Sequence, residues 1–327
     1  MLTDHLPRIL LAQLPTPIEE MPRLSAALGG PRLWVKRDDQ TGLAGGGNKT
    51  RKLEFSVAEA LRQGADTLVT LGGVQSNHCR QTAAAAARVG LNCVVVLRGH
   101  APKEWNGNLL LDHLLGAKVV FSGDRSREEV ADETVAGLAA EGKKPFFLPL
   151  GASDEIGAMG YVAAMEELRA QMQVSGVVFD RLVFASSSCG TQAGMCLGAK
   201  ALGLTTKVTA IAIDSTRAEL QEEVTRLAAL TARRAGLNAQ VLPEDVLAYD
   251  GYLGGGYAVM GALEQEAIQM AARCEGLLLD PVYAGRAMGG LIDLIRKGEF
   301  SEDEKILFWH TGGSAALFAY AGQLMGE

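Results

Sequence analysis

Residues 67–97 read TLVTLGGVQSNHCRQTAAAAARVGLNCVVVL. Thr67–Leu71 is a short apolar run with no polar alternation, the pattern of a strand buried on both faces. Gly72 and Gly73 interrupt it. The polar residues Gln75, Ser76, Asn77 and His78 then open a helix, and its alanine run Ala83–Ala87 stops near Gly90. Cys93–Leu97 is a second apolar run. A strand, a crossover helix and another strand in this order indicate a parallel pair.

The same alternation runs outward in both directions. Leu33–Lys36, Lys118–Phe121, Pro145–Leu148, Leu182–Ala185, Val208–Ile213 and Ile306–Trp309 read as further strands. Between them, Leu53, Val57, Ala60 and Leu61 fall on one face of a helix. Another helix is expected from Thr191 to about Leu202, ending at Gly203. The fold class is therefore α/β, with open parallel sheets flanked by helices. No repeat, low-complexity tract or linker marks a domain boundary. Glycines cluster at 45–47, 72–73, 254–256, 289–290 and 312–313, several after a strand or before a helix. In open α/β sheets, ligands gather at the carboxyl ends of strands, where such turns sit.

Bulk properties narrow the function. The chain has 327 residues, 48% of them apolar, and a net charge of −7. Neither a nucleic-acid partner nor a polybasic membrane anchor is expected from that balance. The first residues lack the charged start and apolar core of a signal peptide, and no stretch approaches the roughly 20 apolar residues of a membrane span. A cytoplasmic location is the expectation. The five cysteines form no CxxC pair, so neither a disulfide framework nor a metal site is expected.

Four segments could carry chemistry. In Gly45-Gly46-Gly47-Asn48-Lys49-Thr50-Arg51-Lys52, glycines allow close backbone approach just before a lysine at a helix start. Burial or neighbouring cations, such as Arg51 and Lys52, would favour the neutral amine that a Schiff-base lysine needs. The competing reading is a turn followed by a solvated basic helix. Gly72–His78 offers a helix N-terminus to a carboxylate, or equally a simple cap by Ser76 or Asn77. Ser186-Ser187-Ser188-Cys189-Gly190-Thr191, between a strand and a helix, suits a phosphate or is an ordinary β–α turn. It is neither a P-loop nor a dinucleotide fingerprint. Finally, Asp280-Pro281-Val282-Tyr283 and the strand end His310-Thr311-Gly312-Gly313 place a tyrosine, a histidine and a threonine near glycine turns. Each of these alone would more often be structural.

Together the segments resemble the fold-type II, tryptophan-synthase-β-like pyridoxal 5′-phosphate (PLP) enzymes. Within them they are similar to the branch containing D-cysteine desulfhydrase and 1-aminocyclopropane-1-carboxylate (ACC) deaminase. The strings that carry the resemblance are KRDDQTGLAGGGNKTRKLEF, GGVQSNHCRQTAA, GTQAGM, LLLDPVYAGRAM and HTGGSAALF, spanning residues 36–318. The resemblance implies that Lys49 is the Schiff-base lysine and Lys52 the second lysine of that motif. It implies that Ser76 shuttles the substrate proton and Asn77 meets the cofactor's 3′-oxygen. Ser188, Cys189, Gly190 and Thr191 take the phosphate-loop positions, and Thr311 the partner of the pyridine nitrogen. Tyr283 matches the active-site tyrosine, and Tyr257 a second one within the altered context GGGYAVM. Gln75, Ser76, Asn77 and His78 are the expected substrate contacts. Asn106-Gly107-Asn108 matches a family NGN element to which the sequence attaches no role. The implied architecture is a larger PLP-binding domain of 1–43 plus 155–327, a smaller domain of 44–154, and a homodimer acting on a small amino acid.

Two positions bear on the reaction. ACC deaminases carry an acidic residue where this chain has Ala284, and an apolar one where it has Thr311. A neutral partner at the pyridine nitrogen is a weaker electron sink, sufficient when a good leaving group departs from Cβ. The expectation is β-elimination, foremost that of D-cysteine desulfhydrase, with L-cysteate sulfo-lyase and ACC deaminase as alternatives. A threonine dehydratase or O-acetylserine sulfhydrylase analogue would keep the lysine, whereas a non-catalytic α/β ligand-binding protein would keep only the fold.

Overall fold

The computed structural model describes residues 2–326. Its strands are β1 (Ile18–Glu20), β2 (Arg32–Arg37), β3 (Thr67–Gly72), β4 (Asn92–Leu97), β5 (Lys118–Phe121), β6 (Pro145–Leu148), β7 (Arg181–Ser186), β8 (Lys207–Ala212), β9 (Leu247–Tyr249) and β10 (Lys305–His310). The first six helices are α1 (Pro22–Leu28), α2 (Lys49–Arg62), α3 (Asn77–Val89), α4 (Gly107–Leu114), α5 (Arg127–Ala140) and α6 (Met159–Ser175). The rest are α7 (Gly190–Leu202), α8 (Arg217–Ala235), α9 (Ala262–Glu275), α10 (Ala284–Arg296) and α11 (Ala321–Met325).

The strands form two sheets. One has the order β5-β4-β3-β6 and the other β1-β2-β10-β7-β8-β9. Every pairing is parallel except that of β1 with β2. All eight strands read from the sequence are present, each within a residue or two. The two it lacks, β1 (IEE) and β9 (LAY), are edge strands of three residues. They are too short for a hydrophobic period and exist only because a neighbour supplies hydrogen bonds.

Each sheet is covered on its faces. Helices α6, α7 and α8 pack on one face of the six-stranded sheet, with Tyr161, Leu168, Leu197 and Leu227 buried there. Helices α9 and α10 cover the other face with Ile268, Met288, Leu291 and Ile292. In the four-stranded layer, Leu53 and Val57 of α2 and Ala83 and Ala86 of α3 pack against Leu68 and Val95. Leu61, expected on the same face of α2, is 39% exposed in the helix's last turn. Capping chemistry sets the ends. Ser76 accepts the Cys79 N–H to start α3, Thr216 and Glu219 close a capping box on α8, and Gly90 and Gly203 end α3 and α7 in the left-handed region. No helix among the described residues is long and apolar enough to cross a membrane.

Candidate active site

The carboxyl ends of both sheets face a cavity of about 280 Å³. Gly73 follows β3, Arg98 follows β4, Ser187 and Ser188 follow β7, Asp214 lies just past β8, and Thr311 follows β10. Lys49 reaches the cavity from the first position of α2.

That first turn is not the solvated basic helix start of the competing reading. Thr50, Arg51, Lys52 and Leu53 are all buried. The turn before it is shaped by glycine: Gly46 has φ +70°, and a Cβ there would lie 2.0 Å from the Asp39 carbonyl oxygen. Helix α3 clamps the same turn. Arg80 donates to the carbonyls of Ala44 and Gly46, and Gln81 Oε1 accepts from the Thr50 N–H at 2.7 Å.

Burial sets the chemistry of the lysines. It lowers Lys49 to about 8, so near neutral pH a useful fraction of the amine is free of its proton. Lys52 lies well below the ordinary lysine range, first through burial and then through the Lys49 ammonium nearby. Lys52 Nζ donates to the Gly151 carbonyl and to Ser153 Oγ, both at 2.8 Å. Arg51 does not act as the neighbouring cation expected. It is neutralised by Asp38 at 2.8 Å and Glu167 at 2.9 Å.

The serine-rich turn opens α7. Cys189 occupies the position before the helix with φ +63° and does not cap it; Ser153 Oγ accepts the Gly190 N–H at 3.3 Å, and the Thr191 and Gln192 N–H groups carry no side-chain partner. Those groups are left for an anion. Ser188 Oγ accepts from Ser153 Oγ at 2.8 Å, and a Cβ on Gly190 would meet Lys52 Nζ at 2.6 Å. Burial pushes the Cys189 thiol up to about 12, so it is a neutral wall and no nucleophile. Asn48, the residue before the lysine, donates to Thr191 Oγ1 at 3.2 Å and joins this turn to α2.

On the facing wall, Tyr257 Oη and Tyr283 Oη are hydrogen-bonded at 2.7 Å. Burial raises both phenols, Tyr283 well above the usual range, so both keep their protons near neutrality. Asp280 positions Tyr283 by accepting the N–H groups of Val282, Tyr283 and Ala284. Ala284 is buried, so no carboxylate stands there.

Most of the residues singled out in the sequence meet here. Lys49, Ser76, Asn77 and His78 line the cavity, as do Ser188, Cys189, Thr191, Tyr257, Tyr283 and Thr311. Ser76 is both helix cap and cavity wall, so its two readings are compatible. Gln75 differs from expectation. Its side chain turns to α4, where Oε1 accepts the Asn108 N–H at 2.8 Å, and it does not line the cavity. Lys52 and Gly190 stand one layer behind the wall. His310 is structural, with Nδ1 accepting from the Gly312 N–H and Nε2 beside the Leu278 carbonyl. Arg98, Arg127 and Asp214 line the cavity and were not singled out in the sequence. Arg98 and Asp214 do carry a sequence signal, because each lies just past the carboxyl end of an apolar run.

This donor set fits a phosphate-bearing aldehyde. A buried, partly neutral lysine shares the cavity with a helix N-terminus whose Thr191 and Gln192 N–H groups are open, backed by Ser188 and a second lysine. The family profile described as pyridoxal-phosphate dependent enzyme matches residues 9–312. The chain belongs to this family. Among its relatives is the D-cysteine desulfhydrase of Salmonella choleraesuis (strain SC-B67), 43% identical over 320 residues and 96% of each chain. The D-cysteine desulfhydrase of Salmonella newport (strain SL254) is 42% identical with the same coverage. A crystal structure of an ACC deaminase homologue superposes with a TM-score of 0.92 at 38% identity, covering 99% of this chain and 97% of that one. Threonine deaminase isoform 2 from Solanum lycopersicum shares the fold, with a TM-score of 0.68 at 16% identity over 96% and 83%. The cofactor of this PLP-dependent enzyme is therefore pyridoxal phosphate.

Proposed function

We propose that the protein is a PLP-dependent carbon–sulfur lyase that converts D-cysteine and water to pyruvate, ammonia and hydrogen sulfide. The observation that carries this is the near full-length similarity to D-cysteine desulfhydrases, joined to a cavity lined by the neutral hydroxyl of Thr311 and to a buried Ala284 at the position where ACC deaminases carry an acid. When bound, pyridoxal phosphate supplies an electron sink for negative charge at Cα.

The chain's own residues do the rest. Lys49, partly neutral in its buried site, makes the covalent link to the cofactor, and the α7 N-terminus receives the phosphate. The N–H groups of Asn77 and His78 at the α3 N-terminus receive the substrate carboxylate, and the Asn77 side-chain amide is left for the cofactor. Ser76 Oγ holds the proton that leaves Cα. The Tyr283–Tyr257 phenol pair keeps a proton available at Tyr283 Oη for the departing sulfur. Lys52 stands behind the α7 N-terminus, where the negative charge of a bound phosphate would favour its protonated form. The working unit is read as a cytoplasmic homodimer built from a larger part, 1–43 plus 155–327, and a smaller one, 44–154. Light scattering of the purified protein checks the dimer.

A second reading has its own support. Arg98 and Arg127 line the cavity, Arg127 with its Nε on Glu128 at 2.9 Å, and their remaining guanidinium N–H groups favour a sulfonate, as in L-cysteate, which would release sulfite. Incubation with D-cysteine, L-cysteine, L-cysteate and ACC, each separately, decides between them. Pyruvate with sulfide from D-cysteine is the expected result. Sulfite from L-cysteate with no sulfide from either cysteine would replace it with the second reading. Sustained 2-oxobutyrate from ACC would overturn both.

A further inference from the structure

The segment Asn106-Gly107-Asn108 has no role in the reading above, yet Asn108 is fully buried beside the α3 N-terminus. Its Nδ2 donates to the Gln75 carbonyl at 3.0 Å and to Asn77 Oδ1 at 2.8 Å. Its backbone N–H donates to Gln75 Oε1 at 2.8 Å, and Gln75 Nε2 donates back to the Asn106 carbonyl at 3.2 Å. Two of these groups have a fixed polarity. A backbone carbonyl only accepts and a backbone N–H only donates. The Gln75 carbonyl therefore holds Asn108 with its Nδ2 end inward. The Asn108 N–H likewise holds Gln75 with Oε1 toward it.

The consequence passes to Asn77, which lines the cavity. With Asn108 Nδ2 against its oxygen, Asn77 has only its own Nδ2 left to turn to a ligand. Flipping the Asn77 amide would set two donors face to face. Flipping Asn108 would set its oxygen against both the Gln75 carbonyl and Asn77 Oδ1. Asn108 Oδ1 has no partner in its present place, so this amide serves through its two donated bonds alone. The segment is also fixed from the six-stranded side: a Cβ on Gly107 would lie 2.9 Å from the Ala315 carbonyl oxygen, just past Thr311.

We infer that Asn108 is a positioning residue that fixes Asn77 as a hydrogen-bond donor to an anionic oxygen of the bound cofactor. The inference rests on the reading that the cavity takes pyridoxal phosphate. A fixed donor favours the ionised form of that oxygen, so it lowers the pH at which the bound chromophore titrates. An amide free to rotate would present its oxygen part of the time and lose that effect.

The test is a pH titration of the visible absorbance of the holoenzyme, together with its affinity for pyridoxal phosphate. Asn108→Leu keeps the approximate size and removes both donated bonds, and Asn108→Ala is the fallback should the leucine variant fail to fold. Either variant should move the absorbance midpoint upward by up to about one pH unit, a tenfold change in proton affinity, and weaken cofactor binding. Asn77→Ala should move it the same way. Asn77→Ala combined with Asn108→Leu should move it no further than Asn77→Ala alone. A folded, yellow Asn108 variant with an unmoved midpoint overturns the inference. So does an Asn108 shift that adds in full to that of Asn77→Ala, the signature of general loosening. A wild-type protein that takes up no pyridoxal phosphate overturns the parent reading instead, and that outcome is visible before any variant is made.

Discussion

At the residue scale, protonation decides what each group can do. The Lys49 amine is lowered to about 8 by burial, and only the neutral form attacks an aldehyde. The rate at which apo-protein captures pyridoxal phosphate should therefore rise about tenfold per pH unit below 8 and level off above it. Stopped-flow absorbance measures this, and a rate flat from pH 6 to 9 would contradict the assignment. The phenol pair gives a second expectation. Tyr283 is the more deeply enclosed partner, since Tyr257 is 38% exposed. Tyr283→Phe should lower kcat by about 100-fold, the usual scale of a lost general acid. Tyr257→Phe removes only the neighbour and should cost less. Steady-state kinetics on both variants checks the order, and equal losses would mean that the two phenols act as one unit.

At the scale of elements, α2 is held by ions rather than by its apolar stripe alone. Arg51 is 2% exposed and reaches Asp38, which also accepts from Tyr161 Oη at 2.6 Å and from Thr16 Oγ1 at 2.9 Å. Glu167 of α6 binds both Arg51 and Lys36. The guanidinium and Lys36 hold the Asp38 carboxyl below the usual range despite full burial. Removing one partner leaves buried charges uncompensated, a loss of about 3–5 kcal/mol. Arg51→Met should destabilise the protein by that amount in urea unfolding. It should also weaken cofactor binding, because Lys49 stands two residues away in the same turn. A stable Arg51→Met with normal binding would show that packing alone places α2.

At the scale of the whole molecule, buried acids set how stability follows pH. Asp112 of α4 is fully buried, neither of its oxygens has a hydrogen-bond partner, and burial raises its carboxyl to about 8 against the pull of Arg80. The native state thus keeps a proton that the unfolded chain releases near pH 4. Between about pH 4 and 8 the folded form binds more protons, so this group's contribution to stability falls as pH rises, by at most about 1.4 kcal/mol per unit. Asp112→Asn should therefore be more stable than wild type at pH 8 and gain little at pH 5. Thermal unfolding at both values tests this. Equal effects at the two would mean that Asp112 has a partner when ionised. Lys49 acts in the opposite sense: its lowered value adds stability as pH climbs from about 8 toward the ordinary lysine range.

The sequence alone determined the eight longer strands, the α/β class and the glycine turns that face the site. Those features depend on local periodicity and turn chemistry, which neighbouring residues specify by themselves. It also placed Lys49 at a helix start behind a glycine turn, and Ser76 and the serine-rich turn on the carboxyl side of strands. Tertiary structure alone decided what these groups are next to. Asn77 and Asn108 are 31 positions apart, and Arg51 and Glu167 are 116 apart. Gln75, expected at the substrate, is drawn away by α4. The depressed Lys49 amine and the short edge strands β1 and β9 likewise exist only once distant segments exclude water or lend hydrogen bonds. Pattern along a chain specifies which conformation each segment prefers, whereas burial, pairing and proton affinity belong to the assembled interior.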